Sequence, residues 1–361
     1  MKIVSVPLKQ NAYDIVIGRD ILPHLGAKLK TFQMGRDAVV ITNPVIQRCH
    51  GAKLTEGLKK SGFSVKVFEV PEGEVAKSVK AAFAVAEKIA RYDCFKKIFI
   101  VAFGGGVIGD LAGYVAAVYK RGVPYVQVPT TLLAQIDSAI GGKVAIDLPV
   151  GKNLIGAFYQ PQIVWSDVTV LSTLSKRQIR NGLAEAVKYG AIKDKELFTY
   201  IARHSNKLLG LEPEALSKVV LRCSRIKSQI VTQDEKETKG IRTILNFGHT
   251  VGHAIEAAGN YTTYHHGEAI ALGMRVAAEI SCQLGMLRPQ QARALNDVLS
   301  DIGLPSKIAK LRMADILRMM KHDKKFITGR NRFVLIPDIG HVQVVEDVPW
   351  PVIRTSLQKY L

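Results

Sequence analysis

Acidic residues are scarce in this chain. Its 361 residues hold 31 Asp and Glu against 50 Lys and Arg, a formal net charge of +19. Such an excess attracts anions, whether nucleic acid phosphates or a small anionic substrate. The basic residues are scattered, with no long run and no aromatic-interleaved basic motif. Nucleic acid is therefore placed behind a small anionic ligand and behind a generally basic surface. Cysteine is scarce too: Cys49, Cys94, Cys223 and Cys282 are far apart and form no C-x-x-C. That argues against a cysteine zinc site or a disulfide framework and fits a reducing compartment. Long apolar runs are missing. The most apolar stretch, 98–118, is broken by the triple glycine 104–106 and Asp110, so no membrane span is expected. Pro7, Lys9 and Asp14 stand where a signal peptide needs an apolar core. The expectation is a cytoplasmic protein.

What is present fits a globular protein: 47% hydrophobic and 22% charged residues, in a chain long enough for two domains. No repeats or low-complexity segments occur. The first half alternates strands and helices. Ala38–Thr42 is a β-branched apolar run, followed by Asn43-Pro44, which suits a helix start. Helix is expected over 45–60, strand over 64–70 and helix over 75–92. Ile98–Phe103 is a continuous apolar run, as a strand buried on both faces requires. The alternation implies a parallel sheet covered by helices. Strand 124–128 then leads to Pro129-Thr130-Thr131, where a hydroxyl caps a further helix. Near Leu171 the texture changes to long helical patterns. Ser175 with Gln178 makes a capping box. Helices are expected near 212–233, 247–258, 266–284, 290–301 and 310–321, and a last strand pair at 333–336 and 342–345. The fold class is an α/β Rossmann-like N-terminal domain (1–172) with a parallel sheet, plus a mainly α-helical C-terminal domain (173–361). The cleft between domains is the default site.

Three stretches carry chemistry. Gly104-Gly105-Gly106-Val107-Ile108-Gly109-Asp110 lies where the buried strand gives way to a helix. Backbone N–H groups there can approach a phosphate at a helix N-terminus, and a tight packing turn would look the same. Residues 137–161 hold four glycines flanking Lys143 and Lys152, with Asp137 and Asn153. Close backbone approach and two mobile charges favour an anion site. Residues 244–268 hold four of the nine histidines. His249 and His253 share a helix face, with Glu256 next on it, and His265, His266 and Glu268 follow a short loop. Such a set suits a divalent metal, and also two satisfied histidines on a helix. Thr250 stands where a zinc protease motif needs Glu. Glu185 and Lys188, spaced i, i+3, read locally as a surface ion pair.

Taken together, GGGVIGD (104–110), PTTLLAQIDSAIGGK (129–143), GKNLIGAF (151–158), GLAEAVKYG (182–190), LNFGHTVGHAIE (245–256) and HGEAIALGM (266–274) resemble the 3-dehydroquinate synthase family. The resemblance runs from Tyr13-Asp14-Ile15 and Ile17-Gly18 to Asp323-Lys324-Lys325. It implies an NAD-binding α/β domain, a helical domain and a divalent metal, zinc or cobalt. The implied metal ligands are Glu185, His249 and His266, which gives His253 a substrate-facing role in place of the local pairing with His249. The implied NAD contacts are Glu72, Glu74, Lys77, Gly106, Val107, Ile108, Gly109, Asp110, Thr130, Thr131, Lys143, Lys152, Val170, Leu171, Ser172 and Thr173. The implied substrate contacts are Arg121, Lys143, Asn153, Lys188, Lys227, Arg242, Asn246, His253 and Lys325. Asp137, Lys143, Lys188 and His253 are the implied catalytic residues. Arg121 resembles an arginine inserted into a neighbouring subunit's site, which implies a homodimer. Glu72 stands where the family more often has Asp, and VAID (144–147) replaces the commoner TGVN.

The implied reaction converts 3-deoxy-D-arabino-heptulosonate 7-phosphate to 3-dehydroquinate, a step of the shikimate pathway. NAD oxidises C5, phosphate leaves by β-elimination, the same NADH returns the hydride, and an aldol closure forms the ring. Three protein ligands would leave the metal an open position, and it would act as a Lewis acid. The substrate's phosphate and carboxylate give the lysines and arginines anions to bind. Two other enzymes share the scaffold: a cyclase acting on sedoheptulose 7-phosphate or glucose 6-phosphate, and a metal-dependent polyol dehydrogenase. Retention of Lys227, Arg242, Asn246 and Lys325 favours the carboxylate-bearing substrate, and the lysine-bearing loop disfavours the dehydrogenase.

Overall fold

The computed structural model describes residues 1–321 and 330–361. They form two compact units, 1–174 with 216–236, and 175–215 with 237–361.

The first unit is built on a seven-stranded sheet of order β1-β2-β9-β6-β5-β3-β4. Its strands are β1 (Lys2–Val6), β2 (Tyr13–Gly18), β3 (Asp37–Thr42), β4 (Ser64–Glu69), β5 (Ile98–Gly104), β6 (Tyr125–Pro129) and β9 (Ile163–Asp167). Only β1 runs antiparallel, against β2. A separate antiparallel hairpin joins β7 (Lys143–Leu148) to β8 (Gly151–Phe158).

β5 shows why the apolar runs fold this way. Phe99, Val101 and Phe103 enter one core cluster, and Ile98, Ile100 and Ala102 enter the other. A strand's side chains alternate between faces, so a run without polar breaks must be covered twice. Helices α1 (Leu25–Leu29), α2 (Pro44–Ile46) and α3 (Ala52–Lys60) precede β4, and Leu25, Leu29, Leu54 and Leu58 fill the first cluster. Helices α4 (Val79–Tyr92) and α5 (Gly106–Val118) supply Val85, Ile89, Leu111 and Val115 to the second. From β3 the chain goes outward to the edge strand β4, then returns past β3 to β5. The winding therefore reverses between β3 and β5. In open parallel sheets ligands bind at the carboxyl ends of such strands. The triple glycine begins with the last residue of β5.

The helical unit contains α6 (Lys176–Lys193), α7 (Lys195–Leu209), α9 (His249–Ala258), α10 (His266–Gln283), α11 (Pro289–Asp301), α12 (Met313–Lys321) and α13 (Trp350–Gln358). Helix α8 (Pro213–Gln233) starts in this unit, and its residues from Leu216 onward belong to the first. The strand pair β10 (Arg332–Asp338) and β11 (His341–Glu346) is antiparallel. The Ser175–Gln178 capping box opens α6 as its spacing predicts. Helix α4 starts at Val79, four residues later than expected, because Glu74–Ala76 form a 3-10 turn and Ser78 caps the helix. Among the described residues no helix is long and apolar enough to cross a membrane.

Candidate functional site

In the sheet unit, helix α5 starts on Gly106, and no side chain caps its first N–H groups. A Cβ on Gly106 would lie 2.9 Å from Ser138 Oγ, and one on Gly105 would lie 3.0 Å from Thr131 Cγ2. Glycine here lets the turn lie against the 131–138 segment while its amides stay available to an anion. The Thr131 hydroxyl accepts from Ala134 N at 3.1 Å, the cap expected from the sequence. Thr130 beside it is buried.

Lys77 is buried and organises the charges around α5. Its ammonium donates to Asp110 Oδ2 at 2.7 Å and to Asn153 Oδ1, and lies 4.0 Å from Asp147. Burial pushes the Asp110 carboxyl up to about 6, against the pull of Lys77. Asp147 Oδ1 also accepts from Asn153 N at 2.7 Å, and Asn153 takes a left-handed φ of 56°. Lys152 and Glu74 pair at 3.1 Å. Glu72 is exposed on the preceding loop. The turn Val168–Thr173 carries Val170, Leu171, Ser172 and Thr173, and the first two of these four are buried.

The stretch 137–161, where an anion site is expected, contains the β7–β8 hairpin. Lys143 opens β7 opposite Phe158, whereas Lys152 sits beside the Leu148–Gly151 turn. The two lysines are about four strand positions apart, roughly 13 Å, so they do not form one cradle. Lys227 on α8 donates to the Asp137 carbonyl at 2.7 Å and to its carboxylate. Arg121 is exposed on a strained turn, where Lys120 (φ 49°), Arg121 (φ 64°) and Gly122 (φ 122°) are all left-handed.

In the helical unit, three helices bring their side chains to one point. A Cβ on Gly273 would lie 1.9 Å from the Gly248 carbonyl, so only glycine lets α10 approach α9 this closely. A Cβ on Gly267 would lie 2.3 Å from the Asn181 carbonyl, so the start of α10 meets α6 under the same restriction. The ligating atoms of Glu185, His249 and His266 then lie within 4.8 Å of one another. Glu185 Oε1 is 3.4 Å from His249 Nε2 and 3.2 Å from His266 Nε2. The opposite ring nitrogens are tied back. His249 Nδ1 faces the Phe247 carbonyl at 3.1 Å, and His266 Nδ1 faces Glu256 Oε2 at 3.2 Å. Such outer partners fix the tautomer and aim Nε2 at a metal. Lys188 contacts Glu185 Oε2.

The electrostatics fit a cation. Glu185 is fully buried, and burial opposes its ionisation, yet Lys188 and His249 outweigh this and hold the carboxyl well below its usual range. Burial would also lower His266, but Glu185 and Glu256 push it up to about 10. Two buried carboxylates thus demand positive charge at the imidazole, which a metal bound at Nε2 can supply. The residues fit a divalent ion with nitrogen and oxygen preference.

Two local readings need correction. Glu185 and Lys188 are 0% and 2% exposed and form no surface pair, because Ala184, Ala186 and Val187 around them are core residues. His249 and His253 do share a helix face, with ring centroids 5.1 Å apart, but His253 is exposed and outside the Glu185 group. His253, Glu256 and His266 make a second triad of similar spacing. Glu256, visible in sequence only as a neighbour of His253, is the carboxylate behind His266. Arg242 is buried in the 3-10 turn Ile241–Asn246, which Asn246 ends. Lys325 lies outside the described residues.

A doubly wound sheet with a glycine turn at its switch point, and a buried Glu–His–His cluster in the other unit, define a class of enzyme. Solved structures of similar fold include 2-deoxy-scyllo-inosose synthase and, in fold alone, an iron-containing alcohol dehydrogenase. A structure of 2-deoxy-scyllo-inosose synthase with carbaglucose-6-phosphate, NAD+ and Co2+ matches with TM-score 0.89 and 26% identity over 100% of both chains. 2-epi-5-epi-valiolone synthase from Streptomyces hygroscopicus, with NAD+ and Zn2+ bound, matches at 0.88 and 25% over 98% of both. A probable glycerol dehydrogenase from Sinorhizobium meliloti, 14% identical over 96% of both chains at TM-score 0.67, shares the fold alone. Residues 67–181 match the family model for the 3-dehydroquinate synthase N-terminal region, and 182–326 that for the C-terminal region. The 3-dehydroquinate synthase of Desulforamulus reducens is 43% identical over 96% of this chain and 97% of that protein. That of Pelotomaculum thermopropionicum is 44% identical over 95% and 93%. The chain belongs to the 3-dehydroquinate synthase family.

Proposed function

We propose that the chain converts 3-deoxy-D-arabino-heptulosonate 7-phosphate to 3-dehydroquinate and phosphate, as an NAD- and metal-dependent lyase. The observation that carries the reading is Glu185, fully buried and faced by two oriented histidines. Such a carboxylate is expensive to keep in an apolar surround; Lys188 meets its Oε2, and its Oε1 faces both imidazoles, where a metal would complete the group. Glu185, His249 and His266 would hold zinc or cobalt, which when bound acts as a Lewis acid on substrate hydroxyls. The Gly104–Asp110 turn, Glu74, Lys77, Lys152 and the Val170–Thr173 turn would hold NAD, which takes and returns one hydride. Catalytic amounts of NAD therefore suffice.

The remaining side chains act on the substrate itself. Lys143, Asn153, Lys227, Arg242, Asn246, Lys325 and the partner-donated Arg121 meet its phosphate and carboxylate. Arginine suits the planar carboxylate, and lysine acts as a point charge for phosphate. Lys188 gives a proton donor beside Glu185, and the exposed imidazole of His253 can hold or move a proton at the substrate. Asp137 keeps the Lys227 ammonium in place. Because Arg121 serves the neighbouring site, the working form is a homodimer.

The test is phosphate release from the heptulosonate phosphate with zinc and trace NAD, before and after chelation. Release that stops with chelator, returns with zinc and leaves no net NADH supports the reading. Turnover of sedoheptulose 7-phosphate in its place would reassign the chain to a sister cyclase.

A further inference from the structure

His50 belongs to none of the motifs above. It follows β3, whose carboxyl end lies at the point where the sheet reverses its winding. The residue sits on a π-turn, Gln47–Gly51, between α2 and α3. Insertions of this kind re-aim side chains and are frequent at functional sites. His50 is 8% exposed. Burial lowers its pKa, with help from Lys53 and against Asp167 and the Val170 carbonyl, so the ring is neutral at pH 7.

The ring touches the Val168–Thr173 turn. Nε2 is 2.9 Å from Thr173 Oγ1. The Thr173 hydroxyl donates to the Val170 carbonyl at 3.1 Å. A hydroxyl has one proton, so with that proton engaged the oxygen accepts from Nε2–H. The start of the same turn is held differently. Asp167 accepts from Thr169 N at 3.0 Å and Thr169 Oγ1 at 2.7 Å, and also from Asp20 N at 3.1 Å and Leu22 N at 2.9 Å. Asp167 thus ties backbone segments together. His50 instead fixes the hydroxyl of one exposed threonine and, through it, a carbonyl in the same turn.

We propose that His50 is a positioning residue for the cofactor: through Thr173 it holds the Val168–Thr173 turn in the form that receives NAD. The proposal rests on the cofactor reading of that turn given above. A purely packing imidazole would not need its ring nitrogen on Thr173, a residue of the turn whose side chain is both polar and exposed.

The experiment measures NAD affinity by titration calorimetry on the zinc-loaded full chain, with KM for NAD and kcat alongside. His50→Ala is expected to weaken NAD binding roughly three- to tenfold, the loss of one hydrogen bond, and to raise KM with kcat nearly unchanged. His50→Gln, whose Nε2 can reach the same hydroxyl, is expected to restore affinity to within about twofold. In a Thr173→Val background, His50→Ala is expected to add nothing. Wild-type affinity in His50→Ala, or an undiminished effect in the Thr173→Val background, overturns the proposal while leaving the NAD reading intact. Failure of the wild-type chain to bind NAD overturns both. Should His50→Ala not fold, Thr173→Val carries the test, and unchanged affinity in that variant overturns the proposal.

Discussion

Glu185 and Glu74 are both glutamates contacted by a lysine, one in each unit, and they live under different rules. The Glu185–Lys188 side chains are 0% and 2% exposed, whereas Glu74 and Lys152 are 46% and 36% exposed. An exposed pair contributes about 0–1 kcal/mol and is screened by salt. A buried pair costs several kcal/mol per ion in desolvation, and losing one partner costs about 3–5 kcal/mol more. The helical unit therefore carries a charge that packing alone would disfavour, and that marks its chemistry more sharply than any charge in the sheet unit. Glu185→Gln is the strongest way to break the contrast. It should abolish bound zinc, read by elemental analysis, and lower phosphate release at least a thousandfold. A variant that keeps both zinc and turnover would make Glu185 a structural acid.

Lys188→Met separates the two partners. The thioether chain fills the lysine's volume without its charge. With the histidines and Glu256 in place, zinc should remain, while kcat falls about a hundredfold for loss of a proton-bearing group. Loss of zinc together with activity would mean that Lys188 serves by holding Glu185.

How much of this was legible follows the same division. The β5 run Ile98–Phe103 is readable because both its faces are buried, and nothing polar is tolerated in it. The α6 start is readable because its capping box is local. The β7–β8 hairpin is not: β8 is exposed along nearly all its length, so no burial alternation is imposed on its sequence. The Glu185–His249–His266 group joins three helices distant in sequence. Spacing within one helix can propose only His249 with His253, and it cannot reveal that Glu185 is buried. Long-range convergence is not a periodicity, so only the family resemblance pointed to these three residues, which the structure brings together.

Asp110 stands between the two extremes, half-buried and paired with Lys77. Its folded pKa, about 6, lies above its usual 3.8, so the folded state binds this proton more tightly. The stability it contributes is present below about pH 4 and is lost as pH rises through 6, by no more than about 3 kcal/mol. Asp110→Asn removes this dependence. Urea unfolding should show the wild type losing ground to the variant between pH 4 and 7. A difference that grows in favour of wild type over that range would mean that the Lys77 pair outweighs desolvation.

Lys152→Ala probes the exposed end of the comparison. The Lys152–Glu74 contact is partly screened by solvent, so its removal should change unfolding stability by less than about 1 kcal/mol. Its effect should appear in the cofactor instead, as a rise of a few-fold in KM for NAD that shrinks as salt is raised, because a surface cation attracts an anionic cofactor only within the screening length. If the variant unfolded as readily as a Glu185 variant, exposure would be a poor guide to which charges this fold depends on. If KM for NAD did not move at any salt concentration, Lys152 would belong to the hairpin's surface and the cofactor's phosphates would be met by the Gly104–Gly106 turn and Lys77 alone.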